Sequence, residues 1–86
     1  MIPGFVVAYR NKDKKIVLYF YPGYDEQNGP IYANIDTAKI AVISKTYKNV
    51  DGSVKYIFDN DHITSITCKL VSNIDGTQYI ETFNDL

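Results

Sequence analysis

The chain contains one cysteine, one histidine and no tryptophan among its 86 residues. A single cysteine, Cys68, cannot form an internal disulfide, which excludes a disulfide-stapled secreted scaffold. No segment approaches the roughly 20 apolar residues that span a bilayer, and residues 1–4 lack the basic start and apolar run of a secretion signal. We therefore expect a cytoplasmic protein that does not enter a membrane.

The charged residues show no excess of either sign. Nine basic and ten acidic side chains give a formal net charge of −1, so no overall electrostatic field attracts nucleic acid or an anionic membrane. The same balance argues against an inhibitor that mimics DNA, which would need a dense acidic face. Arg10 is the one arginine among the basic residues, a bias typical of AT-rich genomes such as those of low-GC bacteria and their phages. At this length we expect one small β-rich domain over residues 1–86, with one modest core.

The chain also lacks a convincing catalytic set. His62 is expected in a turn and Cys68 on the buried face of a strand, so the two are poorly placed as base and nucleophile. The acidic pair at 25–26 is adjacent in a loop, which does not hold two carboxylates at a fixed separation. Asp59 and Asp61 beside His62 lack the ligand spacing of a metal site, and no phosphate-binding glycine loop is present. We expect no enzyme activity, no cofactor and no metal.

Two segments rich in β-branched and aromatic residues, 5–10 and 15–21, flank a short polar turn and predict a β-hairpin. With a three-residue loop between Asn11 and Lys15, one face pairs Val6 with Phe20, Ala8 with Leu18 and Arg10 with Ile16. The other face pairs Phe5 with Tyr21, Val7 with Tyr19 and Tyr9 with Val17. Because both faces are apolar, the hairpin is either covered on both sides or displays an aromatic face to a partner.

One turn sequence, Asn-x-Asp-Gly-Ser/Thr, occurs at 49–53 and again at 73–77. It suits a type I turn with a G1 bulge, in which the glycine takes the position of positive φ. Residues 11–14 are a weaker third copy in which Lys14 replaces the glycine, so we expect another turn type or a little strain there. These turns predict three hairpins.

The turn at 73–77 also predicts the register of the last hairpin. With Asn73 opposite Thr77, the pairs are Leu70 with Ile80, Cys68 with Thr82 and Lys69 with Glu81. Lys69 and Glu81 then face water, and four side chains point into the core: Ile66, Cys68, Leu70 and Ile80. In the middle hairpin, alternation places one set of side chains on a common face: Val54, Tyr56 and Phe58.

The segment over residues 36–48 is ambiguous. Asp36 could cap a helix with apolar residues at helical spacing, but many residues here are β-branched and alternate, so a strand from about Lys39 is the better prediction. Residues 22–30, with two prolines and two glycines, form a loop. The expected fold is all-β, a small antiparallel barrel or sandwich of six to seven strands built from three hairpins. An α+β fold with one helix near residues 36–48 is the alternative.

The sequence favours recognition of a partner over catalysis. We expect a non-enzymatic protein-binding module, an accessory or inhibitor protein of a phage or other mobile element in a low-GC bacterium. Its binding residues are expected on the aromatic face and in the loop at 22–30: Tyr9, Tyr19, Tyr21, Tyr24, Asp25 and Glu26. Self-association through the same aromatic face is a close variant.

The alternative function is that of a small β-barrel which binds single-stranded nucleic acid. The tyrosines of the first hairpin would then stack on bases, and the cations of its turn would contact phosphates: Arg10, Lys12, Lys14 and Lys15. Both features also have a purely structural explanation. Tyrosines pack in cores, and charged hairpin tips, here with Asp13 among the cations, keep a protein soluble.

Overall fold

A computed structural model describes residues 1–36, 43–59, 62 and 64–86. Regular structure in these residues is β-strand without a helix, so nothing in them provides a helix that could cross a membrane. The strands are β1 (Phe5–Arg10), β2 (Ile16–Tyr21), β3 (Tyr32–Asp36), β4 (Ile43–Lys48), β5 (Val54–Phe58), β6 (Ile66–Ser72) and β7 (Gln78–Phe83). The predicted all-β class is confirmed for the described residues. The predicted strand start near Lys39 falls in 37–42, outside them.

The strands form two antiparallel sheets, ordered β1-β2-β5-β4 and β3-β6-β7. The three predicted hairpins supply the local pairings, β1 with β2, β4 with β5 and β6 with β7. Two long-range pairings, β2 with β5 and β3 with β6, complete the sheets. The described strands do not close into a barrel.

The predicted register of the first hairpin is confirmed at all six pairs, from Phe5 opposite Tyr21 to Arg10 opposite Ile16. In its turn, the Asn11 amide donates to the Lys15 carbonyl at 2.9 Å and the Lys14 amide donates to the Asn11 carbonyl at 3.0 Å. Lys14 adopts a φ of +62°. A lysine carries a steric cost in this left-handed conformation. Of the two expected outcomes, strain on Lys14 is therefore the one observed.

The middle turn, at 49–53, has the same three-residue loop. The Asn49 amide donates to the Ser53 carbonyl at 2.9 Å, and Gly52 takes the left-handed position with a φ of +89°. Asp51 Oδ1 accepts from the hydroxyl and the amide of Ser53, at 2.6 and 2.9 Å. These two bonds hold the pKa of the Asp51 carboxyl below its usual value. The first and middle turns thus have the same backbone hydrogen bonds. The middle turn has the preferred glycine at the left-handed position, and the first turn has Lys14 there.

The predicted register of the last hairpin is wrong by one residue. The observed pairs are Cys68 with Glu81, Lys69 with Ile80 and Leu70 with Tyr79. The loop is longer than expected because Ser72, not Asn73, closes it, with the Ser72 amide 2.8 Å from the Thr77 carbonyl. The Asn73 amide donates instead to the Ile31 carbonyl at 2.7 Å. This contact with the segment before β3 draws Asn73 out of the hairpin ladder.

The shifted register changes which side chains of β7 face the core. Ile80 is 69% exposed beside Lys69, so its predicted place in the core is wrong. Glu81 is exposed as predicted. It nevertheless lies opposite buried Cys68, and side chains opposite each other in a sheet share a face, so Glu81 is on the core side of its strand.

Both sheets contribute to one hydrophobic core. Alternating positions of β1, β2, β5 and β6 supply its buried residues: Val6, Ile16, Leu18, Phe20, Val54, Phe58, Ile66, Cys68 and Leu70. Tyr56 packs against this cluster, which confirms the predicted common face of Val54, Tyr56 and Phe58. The intervening residues of β1, β2, β5 and β4 therefore point away from the core.

Candidate interaction face

The side of the four-stranded sheet that points away from the core is called the outer face. Strand alternation and the observed registers place ten residues on it: Phe5, Val7, Tyr9, Val17, Tyr19, Tyr21, Lys55, Ile57, Lys45 and Tyr47. Five of the ten are aromatic, and none is acidic. No described strand packs over this face, because the second sheet lies on the opposite side with the core.

The outer face exposes large apolar side chains to solvent. Phe5, Val7, Tyr9 and Tyr47 are each between 43% and 48% exposed. Val17 lies among them on the central strand and is only 2% exposed, covered by its neighbours on the same face. The face therefore has a packed centre with an apolar rim that remains open.

An aromatic cluster lies at one end of the outer face. The Phe5 ring is 5.9 Å from the Tyr19 ring and 5.7 Å from the Tyr21 ring, measured between centroids, and both pairs are tilted. These distances lie within the range of favourable aromatic pairs. Two of the predicted binding residues, Tyr19 and Tyr21, are thus brought together by Phe5, and Tyr9 lies on the same face.

The charges of the outer face are positive. Lys45 and Lys55 lie on it directly, on the side where β5 and β4 run. Lys15 extends the face at the turn end, where it forms an ion pair with Asp59. A surface with this composition offers apolar and aromatic contact together with cations, although the whole chain is almost neutral.

The cations of the first turn are partly engaged within the chain. Arg10 Nη1 donates to the Lys14 carbonyl at 2.8 Å, and Lys15 pairs with Asp59. Lys12 and Lys14 are exposed. An open concavity at this tip is lined by Arg10, Lys14 and Lys15, and also by the carboxylate-bearing Asp13.

The predicted loop residues Tyr24, Asp25 and Glu26 lie at the other end of the first hairpin, away from its turn. The backbone of Tyr24 exchanges two 2.8 Å hydrogen bonds with Ile2, which extends the hairpin while leaving the tyrosine ring exposed. Asp25 Oδ1 accepts from the amide of Gln27 at 2.8 Å, a bond that lowers the pKa of the Asp25 carboxyl. Asp25 thus shapes its own turn, and Glu26 is exposed at the tip.

Four members of the outer face are missing from the sequence-based prediction: Lys45, Tyr47, Lys55 and Ile57. They come from β4 and β5, which reach the first hairpin only through the long-range pairing of β2 with β5. The alternation in the middle hairpin shows that Lys55 and Ile57 share a face, but no local signal tells which strand lies beside them. The basic character of the outer face therefore depends on tertiary structure.

A separate cleft of about 300 Å³ lies on the core side, between β3 and the β4–β5 turn. Its aromatic walls include Tyr32 and Tyr56, and Lys48 and Asn49 line its rim. Burial raises the pKa of the Tyr32 and Tyr56 hydroxyls above its usual value.

The structure does not bring Cys68 and His62 into a recognisable catalytic arrangement. Cys68 is buried, and burial together with the nearby Glu81 charge raises the pKa of its thiol to about 11. His62 is exposed. Among the described residues, no group of three or more His, Cys, Asp or Glu side chains is placed to hold a metal ion.

Comparison with known proteins gives no relative for this chain. No family model, no curated protein and no solved structure matches it.

Proposed function

We propose that this chain is a non-enzymatic protein-binding module that docks a partner on the outer face of its four-stranded sheet. The observation that carries the proposal is the row of exposed apolar side chains on β1, Phe5, Val7 and Tyr9, with Tyr47 exposed at the other edge of the same face. Neighbouring exposed apolar side chains of this size are typical of protein interaction sites. Aromatic rings ordered by their neighbours are also the side chains that contribute most at protein interfaces.

Further parts of the proposal concern architecture and setting. A sandwich of the two sheets is supported by the core that they share, and it would leave the outer face as a rigid platform. An accessory or inhibitor role in a phage or mobile element, in the cytoplasm of a low-GC bacterium, is supported by small size and by a composition poor in arginine and cysteine.

Affinity capture with a matched pair of variants tests this function. The tagged chain, bound to resin, is exposed to host lysate with and without nuclease, and retained proteins are identified by mass spectrometry. Tyr9→Ser with Tyr47→Ser removes two exposed rings of the outer face. Val71→Ser with Ile80→Ser is the control, because it removes exposed apolar side chains from the other sheet.

We expect one stoichiometric protein that survives nuclease, is retained by the control and is lost from the outer-face variant. Circular dichroism melts of both variants establish that each is folded. If the outer-face variant retains the same protein as the wild type, the outer face is not the binding site. If neither another protein nor a second copy of this chain is bound in stoichiometric amount, the protein-binding proposal fails.

Binding of single-stranded nucleic acid is the second candidate, and the cations of the outer face favour it. Lys45 and Lys55 lie beside the tyrosines, as phosphate contacts lie beside stacking platforms in proteins that bind single strands. Titration of a labelled oligonucleotide at several salt concentrations tests it. Lys45→Gln with Lys55→Gln should weaken binding and lower the salt slope by about 1.4, since each phosphate contact on a single strand contributes about 0.7. Undetectable binding at low salt refutes this candidate.

A further inference from the structure

The two sheets present four edges among the described strands, and three of them carry a feature that discourages another strand from pairing. The β4 edge has a register irregularity between Ile43 and Lys45. The β3 edge has another, between Tyr32 and Ile35. On β7, Glu81 brings a charge to the core side of the strand. Bulges and inward-pointing charges are common means by which sheets avoid edge-to-edge association.

Between Phe5 and Tyr9 the β1 edge has none of these features, and the core-side charge of the strand, Arg10 opposite buried Ile16, lies at its last position. β1 pairs with β2 in one unbroken register over its six residues, and residues 5–9 contain neither a charge nor a proline. No described strand pairs with its outer side. In an antiparallel pair, every second residue of a strand bonds to the partner strand. Counted from the bond between the Asn11 amide and the Lys15 carbonyl, the odd-numbered residues of β1 bond to β2. The backbone groups of Val6 and Ala8 therefore point to the free edge.

The sequence of β1 is complementary to itself in the antiparallel direction. With a two-fold axis at Val7, Phe5 lies opposite Tyr9 of a second copy, and Val6 lies opposite Ala8 of that copy. The free backbone groups of Val6 and Ala8 then form the hydrogen-bonded pairs, while the exposed Phe5 and Tyr9 rings meet as aromatic pairs on the outer face. The two Arg10 side chains stay six positions apart, or roughly 20 Å.

We propose that this chain forms a two-fold dimer in which β1 pairs with β1 of a second copy. The inference rests on the proposed function and deepens it, because it names a second copy as the partner at the rim of the outer face. The contact uses the β1 edge of both copies and leaves the irregular, lysine-bearing β4 strands at the two ends of an eight-stranded sheet. Assembly therefore stops at two chains.

Sedimentation equilibrium of the full chain, with charge variants at the two-fold axis, tests the dimer. The wild type should reach about twice the 9.8 kDa mass of one chain. Val7→Lys and Val7→Glu each place like charges opposite each other and should raise the dissociation constant about tenfold or more. An equimolar mixture of the two variants should recover the dimer. Val71→Lys is the control, since Val71 has similar exposure to Val7 but lies on β6 of the other sheet.

Cysteine variants test the register. In the proposed pairing, Val7→Cys places two thiols directly opposite each other within disulfide reach, whereas Phe5→Cys places them roughly 14 Å apart. Mild oxidation should link Val7→Cys chains and leave Phe5→Cys chains single. Cys68 is buried and does not compete.

A chain that stays monomeric at all concentrations, or a dimer that Val7→Lys leaves intact, overturns the inference. Capture of a different protein by a strictly monomeric chain overturns the dimer while the proposed function stands. A dimer recovered by the mixed charge variants, without capture of any other protein, supports the inference and refutes a separate partner.

Discussion

Lys14→Gly should stabilise the fold, because Lys14 occupies the position that Gly52 occupies in the middle turn, which has the same backbone hydrogen bonds. Its φ of +62° is in the left-handed region, which costs a residue with a Cβ about 1 to 2 kcal/mol. Glycine loses more backbone entropy on folding, which offsets about 0.4 to 1 kcal/mol of that gain. Taking the middle of each range, the net increase in the free energy of unfolding is about 0.8 kcal/mol, or about 3 to 6 °C in melting temperature for a chain of this size.

Thermal and urea unfolding, followed by circular dichroism, measure the effect against two controls. Lys14→Gln removes the charge but keeps the strain, so it should leave the melting temperature almost unchanged. Gly76→Lys makes the reverse change at a φ of +75°, where an added Cβ meets no atom within 4 Å, so it should destabilise by about 1 kcal/mol. If Lys14→Gly is neutral or destabilising while Gly76→Lys destabilises, strain at Lys14 is not the reason the two turns differ.

Three further outcomes are expected. Lys12→Glu with Lys14→Glu should leave the far-UV spectrum and melting temperature near those of the wild type, and should abolish function only if oligonucleotide binding is the function. Tyr19→Ala should cost about 1 to 2 kcal/mol by urea unfolding, well below the 3 to 5 kcal/mol expected for fully buried Phe58→Ala; equal losses would mean that the outer face is covered. Because the pKa of the Cys68 thiol is raised from 9.0 to about 11, the unfolded chain releases this proton first as pH rises. Stability present below pH 9 should therefore be lost toward pH 11, and Cys68→Ala should remove that part of the pH dependence.

Local sequence predicted the first hairpin in full because its turn, its alternation and its register are set within 17 residues. The last hairpin has an equally clear turn sequence, yet its register shifted by one. A hydrogen bond from Asn73 to Ile31, more than 40 positions away, determines where that loop closes. Ile80 consequently lies outside the core.

Local sequence likewise predicted one part of the candidate site, and tertiary structure determines the other part. Tyr9, Tyr19 and Tyr21 could be assigned to one face from alternation within β1 and β2. The lysines beside them arrive with β5 and β4, through a pairing whose energetics depend on the whole core and not on any turn or periodicity. The exposure of the aromatic face likewise follows from where the second sheet packs, which no local pattern specifies.

The central position of β2 has a consequence for how the molecule opens. Its backbone is bonded to β1 on one side and to β5 on the other, and it has buried side chains on both faces, Leu18 on one and Val17 on the other. No fraying of an edge strand frees both of its sides. Its amide protons should therefore exchange with solvent only when the whole domain unfolds. The exchange rate of the β2 amides then reports the free energy of global unfolding.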